Sequence, residues 1–156
     1  MIKKTRFINM LQSDIKKFDE LSPQDIYSIL QLRSEVFVVE QNCVYQDIDD
    51  KDQYALHILL KKDDYLIGYS RIFKGGDYFK EASIGRVLVK KQERNNRHGS
   101  LLMELSIKAI KDYFKENIVK ISAQTYLKKF YNEQGFDSIG DEYLEDGIPH
   151  ITMLLI

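Results

Sequence analysis

The densest run of reactive side chains follows a β-branched segment, residues 84–89 (IGRVLV), and precedes an amphipathic one beginning at Leu101. Here Arg94, Asn95, Asn96, Arg97, His98, Gly99 and Ser100 stand in succession. A strand that turns through such a loop into a helix offers unsatisfied amides and about half a positive charge at the helix start, which suits phosphate groups. Flanking Arg and His add to that attraction. A merely solvated loop would have the same composition. Neither G-x-x-x-x-G-K-[ST] nor G-x-G-x-x-G is present, so the phosphates would not be those of a Walker-type or dinucleotide site. Nucleic acid is not an expected partner, because no aromatics interleave with the basic residues and the whole chain is not basic.

The remaining chemistry-bearing residues point to less. Asp47, Asp49, Asp50 and Asp52 are dense enough for a cation loop, but an EF-hand needs an oxygen ligand where Lys51 stands and glycine where Asp52 stands. A solvated turn is expected there, and no metal. Cys43 is the single cysteine, so it closes no intrachain disulfide and builds no multi-thiolate zinc site; no base stands beside it to make it a nucleophile. Its solitude suits a reducing compartment, and a cytoplasmic location is expected. Arg33, Arg71 and Arg86 could hold an acidic acceptor or pair with Glu35 and Glu40.

Hydropathy outlines the elements that must carry these residues. Ser22 and Pro23 suit the cap and first position of a helix, and Ile26, Ile29, Leu30 and Phe37, with Arg33 on the same stripe, continue at helical spacing. Residues 54–60 and 65–73 read as a hairpin across Lys-Lys-Asp-Asp, and residues 84–89 as a third strand whose Gly85 fits a bulge or a close ligand. A second helix is expected to turn Leu101, Leu102, Leu105, Ala109 and Tyr113 inward. Residues 119–123 form a strand, 126–134 a short helix stopped by Gly135, and 136–156 one or two strands around Glu145-Asp146-Gly147. The order β-α-β-β-β-α-β-α-β-β describes an α+β fold, a mixed sheet covered by helices.

Composition sets the outer bounds. With 156 residues, 44% hydrophobic and only eight Gly and two Pro, one domain over residues 1–156 is expected, and disordered or collagen-like classes are excluded. The 23 Lys+Arg against 24 Asp+Glu give no bulk attraction to duplex DNA or an anionic membrane. The start, MIKKTRFINMLQSDIKKF, is basic but has no apolar core, so no signal peptide is read, and no run approaches the roughly 20 apolar residues that span a bilayer. The apolar ending ITMLLI could join two copies in a homodimer.

Three phrases together carry a resemblance: IGRVLV, then RNNRHGSLLM, then SAQTYLKKFYNEQGF. They are similar to the GNAT superfamily of acetyl-CoA-dependent N-acyltransferases. There a strand backbone binds the pantetheine arm, a loop of form [QR]-x-x-G-x-[GA] wraps the pyrophosphate, and a later helix carries N-x-x-A-x-x-[LF]-Y-x-x-x-G-F. This chain has Gln124, Leu127, Phe130, Tyr131, Gly135 and Phe136 at the matching positions. FVVEQNCVYQDID and EDGIPHITM further resemble the ElaA-like subfamily, over nearly the whole chain. Arg97 departs from the pattern, standing where the loop usually has its first glycine; Gln124 replaces the frequent Asn.

The resemblance implies a GNAT-like fold with a largely antiparallel central sheet flanked by helices. It also implies acetyl-CoA as co-substrate, held by Val87, Leu88, Val89, residues 94–100 and Gln124. Tyr131 would then be the proton donor to the leaving thiolate, since a phenol near pKa 10 keeps its proton at neutral pH. An alkylamine must lose a proton before it attacks, and the candidates for that base are His57, by its intrinsic titration range, and Glu40, beside the presumed acceptor loop; His150 is weaker. The expected reaction is direct transfer in a ternary complex to a small-molecule or peptide amine. Two alternatives share these residues: a non-catalytic acyl-CoA-binding module, and a nucleic-acid binder using Lys90, Lys91, Arg94 and Arg97.

Overall fold

The computed structural model describes residues 10–156, so the basic beginning of the stretch read for a leader lies outside the described residues. Strand β1 (Leu11–Lys17) leads to helix α1 (Pro23–Arg33), which continues as a wider π-helical stretch, Ser34–Glu40. Strands β2 (Leu56–Lys62), β3 (Tyr65–Phe73) and β4 (Ala82–Val89) follow, then α2 (His98–Ala109), β5 (Val119–Gln124), α3 (Lys128–Glu133), β6 (Asp137–Glu145) and β7 (Ile148–Leu155). The element order is the one expected. One sheet runs β1-β2-β3-β4-β5-β7-β6, antiparallel throughout except between β4 and β5.

Strand alternation divides the core between the two faces. Ile58 and Leu60 of β2 join Leu102 and Met103 of α2 and Ile110 just beyond it, with Ile121, Tyr131 and Phe136. Leu59, one residue out of phase, joins Ile29, Leu32 and Val36 of the α1 side, with Tyr69 and Leu88. Helix α1 starts on a reciprocal cap: Ser22 Oγ accepts from the Asp25 amide at 3.0 Å, and Asp25 accepts from the Ser22 amide at 3.1 Å. Asp25 also receives Lys16 of β1 and Lys61 of β2, at 2.9 and 3.1 Å, which moors the helix to the sheet.

Two expectations are corrected here. In α2 the fully buried stripe is Leu102, Met103, Ser106, Ala109 and Ile110, while Tyr113 is exposed. The helix widens to π winding over Ile110–Phe114, and the added residue per turn rotates position 113 out of the stripe. The apolar ending does not present an edge to a second copy, because β7 is paired on both sides, with β5 and with β6.

One irregularity shapes the site. Strands β4 and β5 pair only at Ala82–Val119 and Ser83–Lys120. The β3–β4 register shifts between Tyr69 and Arg71, and Arg86 has φ +50°. A bulge of this kind bends its strand, and here β4 parts from β5 beyond Ser83.

Candidate active site

A cleft of about 1160 Å³ fills the gap between the parted strands. Ser83 through Val89 line one wall, and Ile121, Ser122 and Gln124 the other. Val87, Leu88 and Val89 are all cleft residues. A Cβ at Gly85 would meet nothing within 4 Å, so the cleft keeps open space against this wall.

The basic loop closes one end. Asn95 and Arg97 both adopt left-handed backbone, with φ +68° and +61°. Asparagine tolerates that region; for arginine it costs about 1–2 kcal/mol, at the position where the related loop has glycine. Helix α2 begins at His98 without a side-chain cap, so its first amides remain available to a ligand. Gly99 lies against α3, where an added Cβ would come 3.4 Å from the Phe130 ring. Arg94, Asn95, Arg97, His98, Gly99 and Ser100 line the cleft. Asn96 does not join them; it is exposed, with its side-chain amide 3.5 Å from the Glu93 carbonyl.

Two bridges cross from the end of the π-helical stretch. Arg94 forks onto Glu40, with Nη2 2.9 Å from Oε2 and Nη1 against Oε1, and its Nε donates to the Val89 carbonyl at 3.0 Å. Gln41 and Gln124 exchange amide hydrogen bonds at 3.2 Å in both directions. The hydrogen bond from Arg94 holds the Glu40 carboxyl below its ordinary range, so Glu40 is an arginine partner here and not a free base.

Tyr131, 8% exposed, lines the cleft from α3, edge-on to Phe130 and Phe136. Burial, with the charge of Tyr126 adding to it, pushes its titration above the ordinary tyrosine value. The phenol thus stays protonated at neutral pH, as a donor must.

His57 is corrected outright. It is 1% exposed and does not line the cleft. Its Nε2 stands 2.9 Å from the Asp52 carbonyl, which can only accept, so Nε2–H donates and Nδ1 accepts from the Tyr69 hydroxyl at 2.7 Å. Burial lowers its titration further, and the ring is a neutral structural link.

The acidic loop is likewise not a solvated turn. Arg33 donates to Asp47 at 2.8 Å and Asp52 at 2.7 Å, Arg71 to Asp49 at 2.7 Å and Asp52 at 2.8 Å, and Arg86 to Asp47 at 2.8 Å. Three guanidinium groups meet three carboxylates, so the arginines pair with this loop and not with Glu35 or Glu40. Burial would raise Asp49 and Asp52, but the adjoining arginines outweigh it and hold Asp49 at about 2.

Ser122, Glu145 and His150, of which the sequence singles out only His150 and ranks it low, also line the cleft. His150 Nδ1 is 2.7 Å from the Ile148 carbonyl, and its Nε2 is 3.1 Å from Glu145 Oε2. Ser122 Oγ donates to the same carboxylate oxygen at 3.1 Å. The EDGIPHI hairpin was the signal that could have brought Glu145 and His150 together. Among the described residues no group of three or more His, Cys, Asp or Glu is arranged to hold a metal ion, and no helix is long and apolar enough to cross a membrane.

A sheet parted between parallel strands, with an uncapped helix start facing the gap, is the scaffold of an acyltransferase. Residues 18–156 match the family model "Acetyltransferase (GNAT) domain", and the chain belongs to the GNAT acetyltransferase family. Within it the chain is ElaA-like: it is 43% identical to Protein ElaA of Escherichia coli K12 over 86% of this chain and 89% of that one. The crystal structure of Escherichia coli ElaA superimposes with a TM-score of 0.87 at 40% identity, over 94% of this chain and 100% of that chain. The crystal structure of an acyl-CoA N-acyltransferase from Pseudomonas aeruginosa does so with a TM-score of 0.87 at 35% identity, over 93% and 99%.

Proposed function

We propose that residues 1–156 form one cytoplasmic enzyme unit that moves the acetyl group of acetyl-CoA directly to a primary amine, with both substrates in the β4–β5 cleft. The observation that carries this reading is the gap itself: strand backbone on one wall, a basic loop with an uncapped helix start at one end, and a buried phenol between the walls. Extended amides of a pantetheine arm suit the free side of β4 along Val87, Leu88 and Val89. The pyrophosphate suits Arg97 and the amides of His98, Gly99 and Ser100. Arg94 joins that grip on leaving Glu40.

Backbone amides of β4 polarise the thioester carbonyl, and Tyr131 supplies the proton that the departing sulfur needs. The acceptor, a small-molecule or peptide amine, enters beside the loop of residues 41–52. Calorimetric titration with acetyl-CoA, followed by thiol release over a panel of polyamine, aminoglycoside, amino-acid amide and peptide amines, tests the proposal. Saturable binding and thiol release with at least one amine are expected. Binding without release for every member sinks it.

A further inference from the structure

Resting on that acetyl-transfer reading, we propose that His150 and Glu145 act together as the proton acceptor for the acceptor's ammonium group. Of the other groups on or near the cleft, His98 sits at the basic-loop end and Asp146 on the exposed turn after Glu145, and the remaining candidates are engaged or lie elsewhere. His57 is outside the cleft, Glu40 is forked by Arg94, and Asp49 is bound by Arg71. His150 and Glu145 both line it, opposite β4 and on the side of the acidic loop.

Hydrogen-bond roles define what the pair can do. The Ile148 carbonyl accepts only, so His150 Nδ1 carries a hydrogen. Nε2 lies 3.1 Å from Glu145 Oε2, an ion-pair distance without the direction of a hydrogen bond, so its lone pair is not taken up by a donor. The pair can therefore take up one proton at Nε2, passing from a neutral ring beside a carboxylate to an imidazolium–carboxylate ion pair.

Its surroundings hold the ring in place. Tyr143 stacks on His150 with centroids 6.1 Å apart and bonds Ser122 Oγ, which in turn donates to Glu145. Gln124 lies beside His150 in the β5–β7 register. Tyr78, from the segment after β3, lies within reach of the Glu145 charge. Cys43 Sγ donates to the Asp146 carbonyl at 3.3 Å and ties the acceptor loop to the same turn.

The proton balance is simple. One N–H bond of the ammonium breaks and the proton passes to His150 Nε2; the lone pair left on nitrogen attacks the thioester carbon. The carbon–sulfur bond then breaks as Tyr131 gives its proton to sulfur; the second N–H bond breaks as the amide forms, and that proton restores the Tyr131 hydroxyl. The first leaves to solvent through Glu145, whose side chain is 44% exposed.

The test compares two acceptors, the fastest alkylamine of the panel and hydroxylamine, which is already unprotonated at neutral pH. For His150→Gln and Glu145→Gln, the ratio of alkylamine to hydroxylamine kcat/KM at pH 7 should fall about 10²-fold, the usual scale of base catalysis. In both variants the alkylamine rate should climb with pH toward the amine's own pKa of about 10.4, past the point where wild type levels off. Equal losses with both acceptors mean that the pair only shapes the pocket, and wild-type rates with both mean that it is idle; either overturns the assignment. Glu145→Gln alters a half-exposed residue and keeps the test open if His150→Gln fails to fold. A wild-type protein that releases no thiol with either acceptor overturns the transfer reading itself, and the relay with it.

Discussion

At the scale of single residues, Tyr131 and Arg97 separate chemistry from folding. Tyr131→Phe keeps the ring packed against Phe130 and Phe136 and removes only the hydroxyl. Its kcat should fall about 10²-fold or more, with acetyl-CoA affinity by calorimetry nearly unchanged. Arg97→Gly should show two opposite effects. Relief of the left-handed backbone raises stability to denaturant by about 1 kcal/mol, while loss of a cation beside the pyrophosphate raises the KM for acetyl-CoA. Arg97 is legible from the missing glycine alone, since a motif position fixes a backbone shape. The direction of His57 is not, because β2 is buried on both faces and alternation then gives no outward side.

Among the elements, the acidic loop depends on its arginines. Asp52 receives both Arg33 and Arg71, so Asp52→Asn leaves two buried guanidiniums short of a charge and should cost about 3–5 kcal/mol in urea unfolding. The pH dependence follows from the lowered carboxylates. A group depressed in the folded state stabilises it above its unfolded value, near 3.9, and that contribution is lost as pH falls through the folded value, about 2 for Asp49. Wild-type stability should therefore fall between about pH 4 and 2, and Asp49→Asn should flatten that slope. Elements were legible because each has its own period. The pairing of Arg33 with Asp47, 14 residues on, or of Arg86 with Asp47, 39 residues back, was not, because charge carries no periodicity and either sign could have faced water.

For the whole molecule, the sheet is continuous through only two residue pairs between β4 and β5, supplemented by the Glu40–Arg94 and Gln41–Gln124 bridges. A ligand that lies along both walls adds to this narrow join. At a concentration 100 times its Kd, acetyl-CoA should raise unfolding stability by about 2.7 kcal/mol, read as a rise of several degrees in Tm. The topology was legible from the order of strands and crossovers; the gap was not, because a bulge appears in the sequence only as Gly85 beside Arg86, a residue that seldom adopts positive φ.

The parted strands have a further consequence for the protein in the cell. Beyond Ser83 the facing sides of β4 and β5 form an edge inside the sheet, with main-chain donors and acceptors turned toward each other across a space wide enough for another extended chain. The outer edge at β6 is guarded by Asp137, Asp141, Glu142 and Glu145, whereas the β4 wall from Ile84 to Val89 has Arg86 as its one charged side chain. Starved of coenzyme, the protein should therefore be the form that clumps. Light scattering during mild heating should show the loaded chain staying clear well after the empty one has turned cloudy, so that supply of its own substrate also serves as its protection.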